Sequence, residues 1–175
     1  ALLQAAWTDD ARGNAAMLDA LLQQFAVEPA SGPLQQHATA IAAACAHDDL
    51  DTVVAAIQAM PGDDPWLVTA RQTLDAGSPG SARLSFALQQ RAARLSLADT
   101  FRLEYVVSLH CAAHGDFAEG IRALLIDKDR TPRWRPATLA EATQAWAVPF
   151  FIEPWNAGEH PLRDLGNDTA PRNTP

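Results

Sequence analysis

The sequence predicts an all-α fold with seven to nine helices. The chain of 175 residues contains 36 Ala and a single Tyr, and alanine favours helices whereas strands are rich in aromatic and β-branched residues. No segment alternates apolar and polar residues over the length of a strand,. Helix-capping residues, two of them followed directly by proline, recur along most of the chain,. These three observations favour a purely helical protein.

The first half of the chain contains five predicted helices. Residues 14–26 carry apolar side chains at helical spacing, which predicts a first helix with one buried face,. Each later helix begins at a proline or at a residue whose side chain can accept a hydrogen bond from the first turn. The predicted starts are Pro33, Asp49, Asp64-Pro65 and Ser78-Pro79, and the predicted ends include Gly77 and about Arg94.

Three later helix starts combine a capping residue with an acid three positions on. In such a capping box the acid can return a hydrogen bond to the backbone of the capping residue. Gly115 lies where the long helix from Ser96 needs a left-handed residue to end,. The three predicted pairs are Ser96 with Asp99, Asp116 with Glu119, and Thr138 with Glu141.

The composition limits the partners and the location. A net charge of −8 and a pI near 4.9 argue against nucleic acid, because phosphate binding needs a basic surface,. No stretch approaches 18 consecutive apolar residues, so no membrane span is predicted,. Two cysteines, Cys45 and Cys111, are too few for a disulfide framework and suit a reducing compartment,. We therefore expect a cytoplasmic protein that binds neither nucleic acid nor membrane.

The chain is predicted to form a single helical region over residues 1–157. Residues 158–175 are rich in Asn, Asp, Thr and Pro, which predicts a flexible tail,. Residues 127–136 contain two prolines and several charges, and they are predicted to be non-helical,.

Few residues suggest chemistry. His110 and His114 lie four apart on a predicted helix and could share a metal ion, but the sequence indicates no third ligand,. Cys111 between them is more typical of a packed side chain than of a nucleophile. We therefore predict no metal site, no catalytic residue and no cofactor from the residues alone.

The non-helical loop over residues 127–136 is the best candidate for a functional surface. Four cations around an aromatic ring could receive phosphates and stack a purine. The other interpretation, which composition favours, is a solvated connector whose Trp fills a groove between helices. The residues concerned are Lys128, Arg130, Arg133, Trp134 and Arg135.

Two long runs of sequence resemble a known family. Glu104-Tyr105, residues 116–129 (DFAEGIRALLIDKD) and residues 132–139 (PRWRPATL) are similar to the C-terminal region of 3-hydroxyisobutyryl-CoA hydrolases. These enzymes belong to the enoyl-CoA hydratase/isomerase (crotonase) superfamily. The specific resemblance extends over about residues 64–139.

The resemblance implies more than the residues alone do. Members of the family hydrolyse a CoA thioester in valine breakdown, with an oxyanion hole and catalytic carboxylates on an N-terminal ββα spiral. No such segment is recognisable here, so no catalytic residue is carried over. The chain resembles the C-terminal helical half, with residues 1–3 as the end of the last helix of the core domain. In this family such helices cover the active site or build the oligomer.

The expected partners are therefore the N-terminal crotonase core, an acyl-CoA substrate and further copies of the parent protein. Lys128 is the matching position for a contact with the CoA phosphates, assisted by Arg133 or Arg135. Three hypotheses about the chain stay open: it is part of a thioester hydrolase, part of an enoyl-CoA hydratase/isomerase, or a free-standing helical interaction module. Under the first two hypotheses the chain is expected to be inactive by itself.

Overall fold

The computed structural model describes residues 7–27 and 30–166 of the chain. Across these residues it contains nine α-helices and no strand, which confirms the predicted all-α class. The chain divides into two compact units, residues 1–42 and 43–175. The single region over 1–157 and the tail over 158–175 stay predictions, and residues 1–3 and 167–175 lie outside the described residues.

The first described helix of the first unit is capped. The Asp10 carboxylate accepts hydrogen bonds from two backbone N–H groups of the first turn, so the helix begins three residues earlier than predicted,. Its apolar stripe is not buried as predicted, since Leu22 and Phe25 are 54% and 66% exposed. The predicted second helix is interrupted at His37. The helices are α1 (Ala11–Gln24), α2 (Pro33–Gln36) and α3 (Ala38–Ala44), the last reaching into the second unit.

Six further helices form the second unit. Asp49, Asp64, Ser78 and Ser96 each accept a hydrogen bond from a backbone N–H of the helix that follows, as predicted. The helices are α4 (Leu50–Gln58), α5 (Pro65–Ala76), α6 (Pro79–Ala92), α7 (Leu97–His114), α8 (Phe117–Ile121) and α9 (Gln144–Ala147). Helix α8 continues into a π-helical turn, Arg122–Ile126, and α9 into a 3-10 turn, Val148–Phe151.

Gly115 ends α7, but not in the left-handed conformation that the sequence predicted. Its φ of −97° and ψ of −175° are those of extended backbone. A Cβ at this position would lie 2.9 Å from the carbonyl oxygen of Cys111. Glycine is therefore suited to this position by the close approach of the helix end rather than by its conformational freedom.

The predicted capping box at Asp116 and Glu119 is wrong. The Asp116 side chain makes no hydrogen bond to the first turn of α8. Its carboxylate accepts instead from the Ser78 hydroxyl (2.6 Å) and from the backbone N–H of Arg135 (2.8 Å). Glu119 accepts from the backbone N–H of Arg133 at 2.7 Å. Both acids accept hydrogen bonds from backbone N–H groups of an extended segment, whose own carbonyls do not turn back to accept them as those of a helix do,.

The predicted helix from Thr138 is also wrong. The Thr138 hydroxyl accepts from the backbone N–H of Glu141 at 3.3 Å, but the segment forms only a turn. The carbonyl of Ala142 is bound by Arg83 Nε at 2.6 Å, and the helix begins afterwards at the new cap Thr143. The Arg83 side chain on α6 thus donates to the carbonyl that would accept a backbone hydrogen bond if the helix continued.

The core of the second unit lies where α6, α7 and α9 meet. Trp146 packs against Phe150 with ring centroids 4.7 Å apart. The buried cluster consists of Leu84, Val107, Ala147 and Phe150, with Leu88, Cys111, Trp146 and Phe151 packed against it. Over residues 7–27 and 30–166, no helix combines the length and apolar character that a bilayer crossing requires.

Candidate functional site

The loop that follows the π-helical turn is held in an unusual backbone conformation. Lys128 and Arg130 have φ values of 57° and 56°, in the left-handed region, which costs an L-residue about 1–2 kcal/mol. The backbone N–H of Arg130 donates to the carbonyl of Ala123 at 3.0 Å. The Lys128 side chain is exposed and makes no hydrogen bond or ion pair within the described residues.

Arg122 is the centre of a network that holds this loop. Its Nε and Nη2 donate to the two oxygens of Glu119 at 2.9 and 2.7 Å. Its Nη1 donates to Asp127 Oδ2 (2.6 Å) and to Asp129 Oδ2 (2.7 Å). The remaining Nη2 hydrogen donates to the carbonyl of Thr131 at 3.2 Å. All five N–H donors of the guanidinium are therefore used.

Glu119 connects this network with the next part of the loop. Its Oε1 also accepts from the backbone N–H of Arg133. Hydrogen bonds from Arg122 and then from Arg133 lower the pKa of Glu119 to about 2. The same bonds, from Glu119 first and then Asp129 and Asp127, raise the pKa of Arg122 above its ordinary value. Both groups of the pair are therefore charged at neutral pH.

Trp134 lies between Arg133 and Arg135 in the sequence, and its half-buried ring packs against neighbouring helices. Its indole Nε1 donates to the carbonyl of Ala76 at the end of α5 (3.0 Å). A Cβ on Gly120 would lie 3.5 Å from the Trp134 ring, so the ring rests on α8. Trp134 thus occupies a groove between helices. This position agrees with the interpretation of the loop as a connector whose Trp fills such a groove.

An open apolar groove of about 960 Å³ lies beside Trp134. Most of its lining is apolar, and its polar side chains include Ser78, Asp116 and Arg130. Helices α5, α6, α7 and α8 all contribute to it.

The structure brings together two of the three predicted cations. Arg133 and Arg135 line one shallow depression together with His114, Asp116 and Glu119. Their backbones are held by the two acids, and their side chains are exposed, with no hydrogen bond or ion pair to any described residue. Lys128 is not part of that depression. The role of all three in binding CoA stays a prediction.

The histidine pair forms no metal site with described neighbours. The rings of His110 and His114 have centroids 6.3 Å apart, and His110 Nε2 lies 2.8 Å from the carbonyl of Ile152. Within residues 7–27 and 30–166, no group of three or more His, Cys, Asp or Glu could hold a metal ion. Burial, and then the charge of Asp116, raises the pKa of the Cys111 thiol, which disfavours a nucleophilic thiolate,.

Sequence reasoning missed the residues that organise the loop. It read Glu119 as a helix-capping acid and gave Arg122 no role. One signal was available: acids at 119, 127 and 129 surround a single arginine at 122 within eleven residues. Spacing alone could not reveal that all three carboxylates contact the same guanidinium, because Asp127 and Asp129 reach Arg122 only in the conformation of the π-helical turn and of the loop after it.

Comparison with known proteins places the chain in a family. A family model described as enoyl-CoA hydratase/isomerase matches residues 1–151. The chain belongs to this family. The matched residues include the Arg122 network and the loop over residues 127–136.

Several curated relatives match about half of the chain. The mitochondrial 3-hydroxyisobutyryl-CoA hydrolase of Danio rerio is 42% identical over 80 residues, which is 46% of this chain and 21% of that protein. The corresponding protein of Gallus gallus is 38% identical over 87 residues, which is 50% of this chain and 23% of that protein. The matched segment thus spans less than a quarter of these relatives.

Two solved structures share the fold. A carnitinyl-CoA dehydratase from Mycobacterium thermoresistibile is 36% identical with a TM-score of 0.68, covering 79% of this chain and 39% of that chain. An enoyl-CoA hydratase from Rhodobacter sphaeroides 2.4.1 is 25% identical with a TM-score of 0.62, covering 82% of this chain and 43% of that chain.

Proposed function

We propose that this chain is the helical portion of an acyl-CoA thioester hydrolase that acts on 3-hydroxyisobutyryl-CoA or a closely related ester. One observation carries this proposal: the 42% identity over 80 residues to a 3-hydroxyisobutyryl-CoA hydrolase. These 80 residues make up 46% of this chain. In such a reaction water adds to the thioester carbonyl, and the thiol of coenzyme A leaves with a proton.

The catalytic groups in this proposal belong to an N-terminal crotonase core outside the described residues. In support, the matched parts cover only 39% and 43% of the two similar solved chains. The helical portion would cover the active site or join copies of the enzyme in an oligomer. By itself it would be inactive.

The exposed cations of the loop would contact the phosphates of coenzyme A. Lys128 is exposed, Arg133 and Arg135 line one depression, and none of the three side chains makes a hydrogen bond or ion pair to a residue that the structure describes. These three guanidinium and ammonium groups suit a phosphate ligand, because charge-assisted hydrogen bonds to phosphate are strong.

A second candidate is an enoyl-CoA hydratase or a related dehydratase. It is favoured by the two similar solved structures, which are a carnitinyl-CoA dehydratase and an enoyl-CoA hydratase. Both candidates share the CoA carrier, so the loop would serve the same purpose. The cytoplasmic location stays a prediction, and the curated relatives are named as mitochondrial proteins.

The deciding experiment measures the release of coenzyme A thiol from 3-hydroxyisobutyryl-CoA by this chain and by the longest product of its gene. Hydration of crotonyl-CoA is measured in parallel. Thiol release by the longer product alone supports the hydrolase proposal, and crotonyl-CoA hydration without thiol release supports the second candidate. Turnover by the 175-residue chain alone would contradict the assignment of the catalytic groups. Absence of both reactions would favour a helical interaction module.

The role of Lys128 is tested by Lys128→Gln in the active product. Loss of a contact made equally in the ground and transition states should raise KM for the CoA ester and leave kcat unchanged. Arg130→Gln is the matched control, because Arg130 is exposed in the same loop with nearly the same φ. An unchanged KM in Lys128→Gln, or an equal rise in both variants, would remove the specific role of Lys128.

A further inference from the structure

The Arg122 network does more than satisfy the donors of one half-buried cation, because it also fixes the loop that carries Lys128. Asp127 and Asp129, which flank Lys128 on both sides, contact the same Nη1 nitrogen at 2.6 and 2.7 Å. The backbone of the residue between them is therefore fixed at two adjacent points. This fixation maintains the left-handed φ of Lys128, which the lysine would otherwise leave for a lower-energy conformation.

Glu119 also fixes the backbone of Arg133, the second of the predicted cations. Its Oε1 accepts from Arg122 Nη2 and from the backbone N–H of Arg133, both at 2.7 Å. One carboxylate thus joins the segment that carries Lys128 to the segment that carries Arg133. Loss of either member of the Glu119–Arg122 pair would therefore uncouple the two segments from each other.

Arg122 itself is not available to a ligand. All five of its N–H donors are engaged by three carboxylates and one carbonyl. With three negative charges around one positive charge, the network has no attraction for phosphate of its own. Any effect of Arg122 on anion binding must therefore act through the loop that it holds.

We propose that Glu119 and Arg122 are positioning residues, which hold Lys128 and Arg133 in place to receive the phosphates of the CoA nucleotide. The inference rests on the proposed function above. A loop ordered before binding loses less conformational entropy when the ligand arrives, so affinity rises without a new contact. Only an arginine reaches all these acceptors, because a lysine has three donors on a single nitrogen.

The test compares the binding of coenzyme A with that of pantetheine, which lacks the phosphorylated nucleotide. Both are titrated calorimetrically against the longest product of the gene and its Arg122→Lys and Glu119→Gln variants. We expect Kd for coenzyme A to rise about tenfold in each variant and Kd for pantetheine to stay unchanged. In the enzyme assay, KM for the CoA ester should rise by a similar factor with kcat preserved.

Arg102→Lys is the matched control for a general loss of structure. Arg102 also combines an ion pair, to Asp99 at 2.7 Å, with hydrogen bonds to backbone carbonyls, among them that of Leu162 at 2.9 Å. It lies on α7 and contacts none of the loop residues in this network. We expect Arg102→Lys to lower the unfolding temperature and to leave both Kd values as in the wild type.

The outcomes separate the inference from the proposed function. If the wild type does not bind coenzyme A more tightly than pantetheine, the proposed contact between the loop and the CoA phosphates fails, whereas the hydrolase proposal itself is decided by the thiol-release assay. If the wild type does bind coenzyme A more tightly and both variants keep the wild-type Kd for coenzyme A, the positioning role is overturned. An equal loss of affinity for both ligands would also overturn it, because that pattern indicates general damage. Should Arg122→Lys fail to fold, the isosteric Glu119→Gln decides alone.

Discussion

Replacing Gly80 by alanine should destabilise the second unit, although alanine is normally the better helix former. Gly80 is buried in the first turn of α6, and a Cβ there would lie 2.6 Å from Cη2 of Trp146 and 3.3 Å from Cδ of Pro136. Carbon atoms normally approach no closer than about 3.5 Å. The Trp146 ring would therefore have to move by about 1 Å, against its packing on Phe150.

The magnitude follows from two opposing effects. Overpacking costs about 1–3 kcal/mol, and an approach of 2.6 Å to a packed ring belongs to the upper part of that range, about 2–3 kcal/mol,. The opposing gain in helix propensity is at most about 1 kcal/mol. We expect Gly80→Ala to lower the free energy of unfolding by about 1–2 kcal/mol. That loss corresponds to roughly 2–8 °C in the unfolding temperature of a domain of this size.

Gly120→Ala is the control with the opposite sign. Its Cβ would lie 3.5 Å from the Trp134 ring, which is ordinary contact, so alanine should stabilise the protein by about 0.5–1 kcal/mol,. Both variants are compared by urea unfolding, followed by circular dichroism and tryptophan fluorescence. A Gly80→Ala midpoint equal to or above that of the wild type would show that the Trp146 ring yields freely, and the packing argument would be refuted.

Three further outcomes can be measured on the same protein. Leu84→Ala removes a core side chain that is 5% exposed, and it should cost about 2–5 kcal/mol in urea unfolding; a loss below 1 kcal/mol would contradict the core assignment. Lys128→Gly should be more stable than Lys128→Ala by about 1 kcal/mol, because the φ of 57° strains only the alanine,; equal stability would contradict the left-handed conformation. The pKa of Glu119 is about 2 in the folded state, below its ordinary value of 4.5. The charged Glu119 side chain therefore contributes fully to stability above pH 4.5, and this contribution is lost as the pH falls towards 2. Urea midpoints should therefore fall less steeply over this range in Glu119→Gln than in the wild type, and identical pH profiles would exclude the contribution.

Helix positions were predictable because their determinants are local. Asp49, Asp64, Ser78 and Ser96 bond to N–H groups two or three residues ahead, so their effect needs no other part of the fold,. The non-helical character of residues 127–136 was also predictable, since its prolines act on their immediate neighbours,.

The candidate site was predictable only in its residue types. The sequence indicated a basic loop with a tryptophan, and the resemblance pointed to Lys128, Arg133 and Arg135. It did not indicate that Trp134 would donate to a carbonyl 58 residues away, at Ala76. Nor did it separate Lys128 from the depression that the two arginines line.

The sequence by itself determined the all-α class and most helix starts. Its similarity to known proteins determined the family. Tertiary structure alone decided how Asp116, Glu119 and Arg122 are used. A carboxylate at a helix start can bond to its own first turn or to another segment, and the two options are equivalent in local sequence. Asp116 and Glu119 bond to the extended segment around Trp134, because its backbone N–H groups find acceptors only on a neighbouring element,.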